Sequence, residues 1–192
     1  ASDDVAQPSA NVARPERRAT SGTGRAAAAA LGWTLRPSEV TAVSRAEWLR
    51  EAQQIETLVP AVYACISGAA GTPRQWERFR FLHRPDARSL RTVVHADGRI
   101  EAQSFGVEEY IANVAPFFAA NDFFEMEIDH RIERFGQIAH VWSRYEARPS
   151  PGSPVLLKRG ANSIQLFHDG ARWWVVSTAW DNEREGLHFA LW

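Results

Sequence analysis

Cysteine and long apolar runs are the two features that the sequence most clearly lacks. Cys65 is the single cysteine in 192 residues, so the chain cannot form an internal disulfide, and cysteine usage leaves its compartment open. Since Cys65 lies in an apolar helical stretch, we expect a buried and unreactive thiol. No run approaches the roughly 20 apolar residues that span a bilayer, so we predict no transmembrane segment.

A basic surplus and the common cofactor motifs are missing too. The net charge is −1, whereas nucleic-acid-binding domains usually carry a clear excess of Lys and Arg, so we predict no nucleic-acid partner. The sequence has no Gly-rich phosphate loop, nucleophile elbow or dinucleotide fingerprint. Its six histidines show no two-histidine spacing beside a carboxylate of the kind that a zinc site uses. We therefore predict neither a metal nor a cofactor.

Residues 1–44 differ in composition from the rest of the chain. They are rich in Ala, Arg, Ser, Thr and Pro and poor in large apolar side chains, so they cannot build a core alone. We interpret them as an unstructured or wrapping extension, or alternatively as an arm that binds a partner through Trp33 and Leu35. The opening Ala-Ser-Asp-Asp suits a signal-peptide cut, an import cut or an artificial edge equally. The protein could thus be exported or periplasmic after signal removal, or cytoplasmic.

Helical patterns dominate the first half of residues 45–192. Ser44 and Glu47 form a capping box, after which apolar residues recur at helical spacing. We expect Pro60 to kink this helix or to open a second one at its first turn. Thr72 is the expected cap of a further short helix, which Pro85 and the following residue close.

The second half alternates as half-buried strands do. From residue 124 to 133, an apolar set that includes Ile128 and His130 alternates strictly with a charged set that includes Glu125 and Glu127. We expect the first set to be packed and the second to be solvated. The other predicted elements are a hairpin of strands 89–95 and 99–104, a helix over 106–120, and strands over 138–145, 155–168 and 172–180. Consecutive antiparallel strands after a helical half predict an α+β domain over residues 45–192.

Two parts of this domain carry a resemblance to a known family. One consists of residues 159–166, Asp169-Gly170, 172–177 and Trp180-Asp181, and the other of residues 62–68 with Trp76 and Phe79. They look like the final two strands and the first helices, respectively, of the SnoaL-like, polyketide cyclase-like branch of the nuclear transport factor 2-like superfamily. The resemblance implies a cone-shaped, curved antiparallel or mixed sheet wrapped by about three helices around a pocket, a cystatin-like α+β barrel. Members include isomerases, dehydratases, cyclases and non-catalytic domains, so the fold does not choose an activity.

Candidate catalytic residues follow from which polar groups would enter that pocket. His130 stands on the apolar side of its strand and could act as a base, although a core or interface histidine is the alternative. By position, the resemblance to ketosteroid isomerase-like members implies an oxyanion donor at Tyr63, which could equally be a core tyrosine. His83 and Asp86 form a His-x-x-Asp pair that could serve acid–base work or simply end a helix. Carboxylates beside His130 on the inner strand positions are not evident.

The heavy aromatic load suits a lined cavity or an interface. Eight tryptophans and ten phenylalanines must be buried somewhere. The residues expected to line the pocket are Trp76, Phe79, Trp142, Tyr145, Asn162, Gln165 and Trp180. Asn162 and Gln165 have opposite parity on one strand, so both face inward only with a bulge.

Three interpretations remain open from sequence. The first, which we prefer because no complete acid–base set can be assembled, is a dimeric domain that binds a small apolar molecule. The second is a cofactor-free lyase, isomerase or cyclase acting on an apolar carbonyl compound, with His130 as base and Tyr63 as donor. The third is a structural subunit that uses its N-terminal arm for assembly.

Overall fold

The computed structural model describes residues 44–189, and the arm predicted over residues 1–44, with its anchors Trp33 and Leu35, lies outside them but for Ser44. Within 44–189 the chain forms four helices and six strands. In chain order they are α1 Arg45–Glu51, α2 Ile55–Ile66, α3 Trp76–Leu82, β1 His83–Val94, β2 Ile100–Phe105, α4 Val107–Ala120, β3 Phe124–Phe135, β4 Ile138–Arg148, β5 Lys158–His168 and β6 Trp173–Asn182.

The capping box predicted at the first helix is present. The Glu47 amide donates to Ser44 Oγ at 3.3 Å, and the Glu47 carboxylate accepts from the Ser44 amide at 2.5 Å. Pro60 does not open a helix at its first turn, because α1 already ends at Glu51 and Pro60 lies in the middle of α2; the alternative of a kink stays a prediction. Helix α3 begins after Gln75 instead of at the predicted cap Thr72.

The predicted end of α3 was also wrong. Helix α3 stops at Leu82, and β1 starts directly at His83, so Pro85 and Asp86 lie in a strand and not in a loop. They fall within a register shift between His83 and Arg88, where β1 is not paired regularly with β6. A proline is tolerated at such a bulge because no ladder hydrogen bond is lost there.

The six strands form one open, mixed sheet. Their order is β2-β1-β6-β5-β4-β3, and neighbours are antiparallel except for the parallel pair β1 and β6. Strands β2 and β3 are the edges, so the sheet does not close into a barrel. This arrangement confirms the α+β class predicted from sequence, with α1 as a fourth helix beyond the expected three.

The helices pack on one face of the sheet, which we call the inner face. The apolar core between them contains Leu58 of α2 and Leu82 of α3, together with Val141, Leu166 and Val175 from the central strands. Each of these side chains is at most 2% exposed. Burying one such side chain stabilises a fold by about 1.5–3 kcal/mol, so this cluster holds the helices on the sheet.

Gly160 in β5 leaves room for a tyrosine side chain of β4 to extend over β5 as far as β6. Tyr145 of β4 faces Gly160 directly, and its hydroxyl reaches over β5 to donate to Asn182 Oδ1 of β6 at 2.8 Å. A Cβ at position 160 would stand 2.4 Å from the Tyr145 hydroxyl oxygen and 2.4 Å from the Asp181 carbonyl oxygen. Only glycine therefore leaves room for this ring.

We predict that Gly160→Ala lowers the free energy of unfolding by about 1–3 kcal/mol, because the added methyl group forces Tyr145 or the β6 backbone to move. Urea denaturation measures the change. Gly106→Ala is the control for a methyl group that has room, since a Cβ there meets nothing closer than 3.5 Å; because Gly106 is the N-cap of α4, its own cost should be roughly 1 kcal/mol or less. Equal midpoints for Gly160→Ala and the wild type would contradict this packing.

Candidate functional site

Polar side chains gather at one end of the inner face, in three rows that run across the strands. The rows are Glu125–Ala147–Lys158, then Glu127–Tyr145–Gly160–Asn182, then His130–Ser143–Asn162–Trp180–Arg91. The apolar core continues from the third row toward Val141 and Ile164. The inner face is thus divided into a polar half and an apolar half.

A β-bulge in β3 explains why two glutamates and a histidine share this face. Glu127 pairs with Tyr145 and Asp129 with Arg144, so Ile128 is an extra residue with no partner across the ladder. The alternation therefore changes sides between Glu127 and His130. The expectation that Glu125 and Glu127 are solvated opposite His130 was wrong, because the extra residue cannot be seen in an unbroken sequence alternation.

Glu125 is the most perturbed carboxyl group of the site. Its side chain is half-buried and its strand position directs it toward the helices, so we infer that it lines a recess between the sheet and α4. Burial raises its pKa to about 8, and Lys158 opposes this rise only in part. Among the described residues, no group donates a hydrogen bond to the Glu125 carboxyl group.

Two cationic side chains face the same recess. Burial lowers the pKa of Lys158, while Glu125 acts to raise it and Arg91 to lower it further. The Lys158 ammonium lies 5.9 Å from the centre of the Phe117 ring of α4. Arg91 donates from Nη2 to Gln103, whereas its buried Nε has no hydrogen-bond partner within residues 44–189. Both cations thus keep donors that no group within residues 44–189 uses.

Tyr110 of α4 and Trp180 of β6 form the apolar wall beside these charges. Their rings meet edge to face, with centroids 6.1 Å apart, and Tyr110 also stacks on Phe79 of α3 at 5.3 Å. Burial, followed by the charge of Glu125, raises the pKa of the Tyr110 hydroxyl, so this phenol stays protonated. The recess accordingly combines one carboxyl group and two cations with flat aromatic surface.

A directional hydrogen-bond chain runs beside the recess. Asn162 Nδ2 donates to the Tyr63 hydroxyl at 2.7 Å, and Ser143 Oγ donates to Glu127 Oε1 at 2.6 Å. Since Ser143 has a single proton and gives it to Glu127, the Tyr63 hydroxyl must donate to Ser143 Oγ, which lies 2.7 Å away. His130 Nδ1 stands 2.9 Å from the other oxygen of Glu127.

This chain joins α2 to the sheet. Tyr63 is the only member from a helix, and Ser143 and Asn162 hold it from two neighbouring strands. The Tyr63 hydroxyl is nearly buried, and burial raises its pKa far above the ordinary value. Because the Tyr63 hydroxyl group donates its proton to Ser143, we infer that Tyr63 fixes α2 on the sheet and orients the side chains of Ser143 and Asn162.

The three candidate catalytic residues from sequence are not brought together. His130 and Tyr63 belong to the hydrogen-bond chain, with two residues between them. Asp86 is exposed and paired with Arg84 at 2.8 Å. His83, its proposed partner, is buried with Nδ1 2.8 Å from the Phe79 carbonyl oxygen. The His-x-x-Asp pair therefore does not meet.

The predicted lining residues divide between the two faces of the sheet. Tyr145, Asn162 and Trp180 stand on the inner face. In α3, Phe79 stacks on Tyr110 as described, and Trp76 packs on Phe118 with ring centroids 6.2 Å apart. Trp142 and Gln165 lie on the opposite, outer face, in register with Ser163 and His140 respectively. Only the first three, with Phe79, adjoin the polar rows.

Sequence analysis missed Glu125, Lys158 and Arg91. One signal for Lys158 was present, because it is the only lysine in the chain, against 21 arginines. This single lysine stands at the first position of β5, on the inner face of the sheet, whereas arginine is used at the other basic positions. No comparable signal marked Glu125, since the strand alternation directed attention to its apolar neighbours.

The outer face has a pocket of its own. Its volume is about 350 Å³, and its walls include Trp142, Ala179 and the segment 187–189 that follows β6. Arg144 of β4 places its guanidinium 4.2 Å from the centre of the Phe189 ring, which holds this segment against the sheet. The pocket lies on the far side of the sheet from Glu125.

No helix within residues 44–189 is long and apolar enough to cross a membrane. Over the same stretch, His, Cys, Asp and Glu side chains form no group of three that could hold a metal ion.

Solved structures share this fold at low sequence identity. One is a Nostoc punctiforme protein of unknown function with a cystatin-like fold, at TM-score 0.52 and 10% identity over 73% of this chain and 94% of that one. An NTF2-like protein of unknown function from Pseudomonas putida follows at TM-score 0.51 and 12% identity over 66% and 82%. A third is the beta subunit of a putative aromatic-ring-hydroxylating dioxygenase from Novosphingobium aromaticivorans, at 0.52 and 14% over 71% and 90%.

These similarities confirm the nuclear transport factor 2-like, cystatin-like fold that the sequence resemblance implied. No family model and no curated protein matches the sequence. At these identities the likeness shows the fold alone. Assignment to the SnoaL-like branch stays a prediction.

The pKa of Glu125 gives a pH dependence of stability. Because the folded chain holds a proton at Glu125 up to about pH 8 and the unfolded chain releases it near 4.5, this contribution to stability is complete below pH 4.5 and is lost as the pH rises through 8. His83 acts oppositely: burial lowers its pKa to about 4, so its contribution is lost as the pH falls below 6.5. Between pH 6.5 and 8 His83 no longer contributes, while the lowered pKa of Lys158 acts against Glu125, so Glu125 is isolated only by comparison with a variant that lacks its carboxyl group.

We predict that, across this window, the free energy of unfolding of the wild type falls relative to that of Glu125→Gln, by up to about 1.4 kcal/mol per pH unit. Urea titrations of both proteins at several pH values measure the difference, in which His83 cancels. Parallel pH curves for the two proteins would show that Glu125 is not perturbed.

Proposed function

We propose that the recess on the inner face binds a small, largely apolar carbonyl compound and that Glu125 removes a proton from this compound and returns one to it. This is the cofactor-independent lyase, isomerase or cyclase interpretation, with Glu125 in place of His130 as the base. The observation that carries it is an enclosed carboxyl group with no hydrogen-bond donor from residues 44–189 and a pKa near 8. Sequence alone favoured binding without catalysis because this group was not visible.

A carboxyl group with a pKa near 8 suits proton transfer at neutral pH. Both its acid and its carboxylate form are populated there, and the apolar surroundings that raise the pKa also make the carboxylate a stronger base. Removing a proton from carbon needs an adjacent carbonyl group that can take up the negative charge. The substrate class is therefore a compound with a C–H bond next to a ketone or aldehyde.

The cations beside Glu125 supply the electrostatic part of this chemistry. A developing enolate oxygen needs donors that are already oriented toward it in a site of low dielectric constant. Arg91 Nε is buried without a partner within the described residues, and the Lys158 ammonium makes no ion pair there. Aromatic surface from Tyr110 and Trp180 would hold the apolar body of the substrate.

A binding role without turnover would use the same recess, and an assembly role rests on different residues. The beta subunit from Novosphingobium aromaticivorans shares the fold, so this fold also occurs in a subunit of a larger enzyme. An arm formed by residues 1–44 would be the means of such assembly here. Nothing within residues 44–189 favours that role over proton transfer.

We predict that the protein accelerates hydrogen–deuterium exchange at the carbon next to the carbonyl group of small aromatic or alicyclic ketones in D2O, measured by proton NMR. Glu125→Gln should slow the exchange by about 100-fold or more while ligand affinity changes little, because the amide cannot accept the proton. Glu133→Gln is the matched control, since Glu133 lies on the same strand with 63% of its side chain exposed.

Exchange by Glu125→Gln at the wild-type rate would remove Glu125 from the role of base. Ketones that bind without any exchange above the buffer rate would leave the binding interpretation in place of the enzyme.

The outer face supports a second proposal, that the chain is a homodimer as predicted from sequence. Ile138 lies on the same face of β4 as Trp142 and is 60% exposed, and its partner across the ladder, Phe135, is 85% exposed. Neighbouring exposed apolar side chains of this size are typical of protein contacts. Covering it with a second copy would bury these side chains.

We predict a mass near twice 21.5 kDa by light scattering, and dissociation on Ile138→Asp, because a carboxylate cannot be buried unpaired in such a contact. Val155→Asp, at a similarly exposed position in the loop before β5, should leave the dimer intact. A monomer at micromolar concentration would contradict the dimer.

A further inference from the structure

Lys158 is a lone amine in an unusual setting. It is the only lysine of the chain, and it stands on the inner face at the first position of β5. Surface lysines usually keep the ammonium in water, whereas this one is largely enclosed by protein, beside the Phe117 ring. A structural role in solubility or surface pairing does not account for that position.

Glu125 is the acidic group that faces this amine. The two residues flank Ala147 in one row, two strand spacings apart, which is roughly 10 Å between their backbones. Their side chains extend over the same face and interact electrostatically, yet no ion pair joins them among the described contacts. Arg91 is the other charged group near Lys158, and its charge disfavours a second cation there. Neither the amine nor the acid is satisfied by its neighbour.

We propose that Lys158 Nζ is a nucleophile that forms an imine with a carbonyl ligand in the recess, with Glu125 as the proton donor and acceptor. The inference rests on the proposed function and gives it a covalent step. An aldehyde or an unhindered ketone with an apolar body is the substrate class, because the nucleophile lies beside the Phe117 ring and the acid lies near Tyr110.

Lys158, Glu125 and the carbonyl ligand together supply every proton and electron pair that imine formation needs. The nitrogen lone pair of neutral Lys158 attacks the carbonyl carbon, the carbon–oxygen π pair moves to oxygen, and one nitrogen proton passes to that oxygen through Glu125, giving a carbinolamine. The Glu125 carboxylic acid then protonates the hydroxyl group, the carbon–oxygen bond breaks, and water leaves. The nitrogen lone pair closes a protonated imine, and Glu125 is left as a carboxylate.

The products of this step are arranged for the next one. The protonated imine draws electrons from the neighbouring carbon more strongly than a ketone does, which acidifies its C–H bond. The Glu125 carboxylate, formed in the same event, is then the base that removes the proton and yields an enamine. The carboxylic acid is re-formed, so no oxidant, reductant or cofactor is consumed.

Reductive trapping tests the imine directly. The full-length protein is incubated with benzaldehyde and sodium cyanoborohydride at pH 7, and the modified residues are found by peptide mass mapping. Since the chain has one lysine, a stable benzyl adduct forms only at Lys158 or at the α-amino group, which serves as the internal reference. We expect Lys158 to react at least about tenfold faster in the folded protein than in urea, where its pKa returns to about 10.4.

Two variants separate the roles of the two residues. Lys158→Met should confine the adduct to the α-amino group. Glu125→Gln should slow trapping by about 100-fold, because proton transfer is lost, while acylation of Lys158 by acetic anhydride, which needs no acid, proceeds at nearly the wild-type rate. Equal slowing of both reactions by Glu125→Gln would assign Glu125 to structure only and overturn its part in the step.

If Lys158 is trapped no faster in the folded protein than in urea, the proposal of an imine at Lys158 is overturned. The experiments distinguish a failure of the imine proposal from a failure of the proposed proton transfer. Ketone exchange that depends on Glu125 and persists in Lys158→Met, without a trapped adduct, removes the covalent step and leaves proton transfer by Glu125.

Discussion

The bulge at Ile128 determines which side chains of β3 enter the interior. Glu125 and Glu127 face the helices before the bulge, and His130 and then Ile132 face them beyond it. The inward-facing side chains of this one strand are therefore charged at one end and apolar at the other. An unbroken strand would have offered either a fully apolar inner face or a fully charged one. The division of the inner face into an apolar half and a polar half follows from that single extra residue.

The polar half is stable because most of its groups are paired. Tyr63, Ser143, Glu127 and His130 form a chain in which the donors and acceptors match, and Tyr145 spans Gly160 to reach Asn182. Beside this chain, Arg91 Nε is a buried donor without a hydrogen-bond partner within residues 44–189, and the half-buried Glu125 carboxyl group and Lys158 ammonium make no hydrogen bond there. Such exceptions are where a ligand is expected, because leaving buried polar groups unpaired costs stability.

Sequence reasoning was successful where local patterns decide the structure. The capping box at Ser44, the helix ending at Ala120 and the strand beginning at Phe124 all follow from residue spacing and composition. The passage from α3 straight into β1 and the parallel pairing of β1 with β6 were missed, because both depend on contacts between distant segments. For the same reason only part of the polar half could be anticipated: His130 and Tyr63 were proposed as site residues, but their neighbour Glu127 and the row of Glu125 and Lys158 depend on register.

A titration of the Glu125 side chain by carbon-13 NMR is the most direct test of this account. In protein labelled at the glutamate carboxyl carbons, the resonance that disappears in Glu125→Gln belongs to this residue. The account predicts a titration midpoint near pH 8, because the group is enclosed beside Tyr110 and is opposed only in part by Lys158. A midpoint near 4.5 would show that Glu125 is solvated, and proton transfer by this group would then have no physical basis.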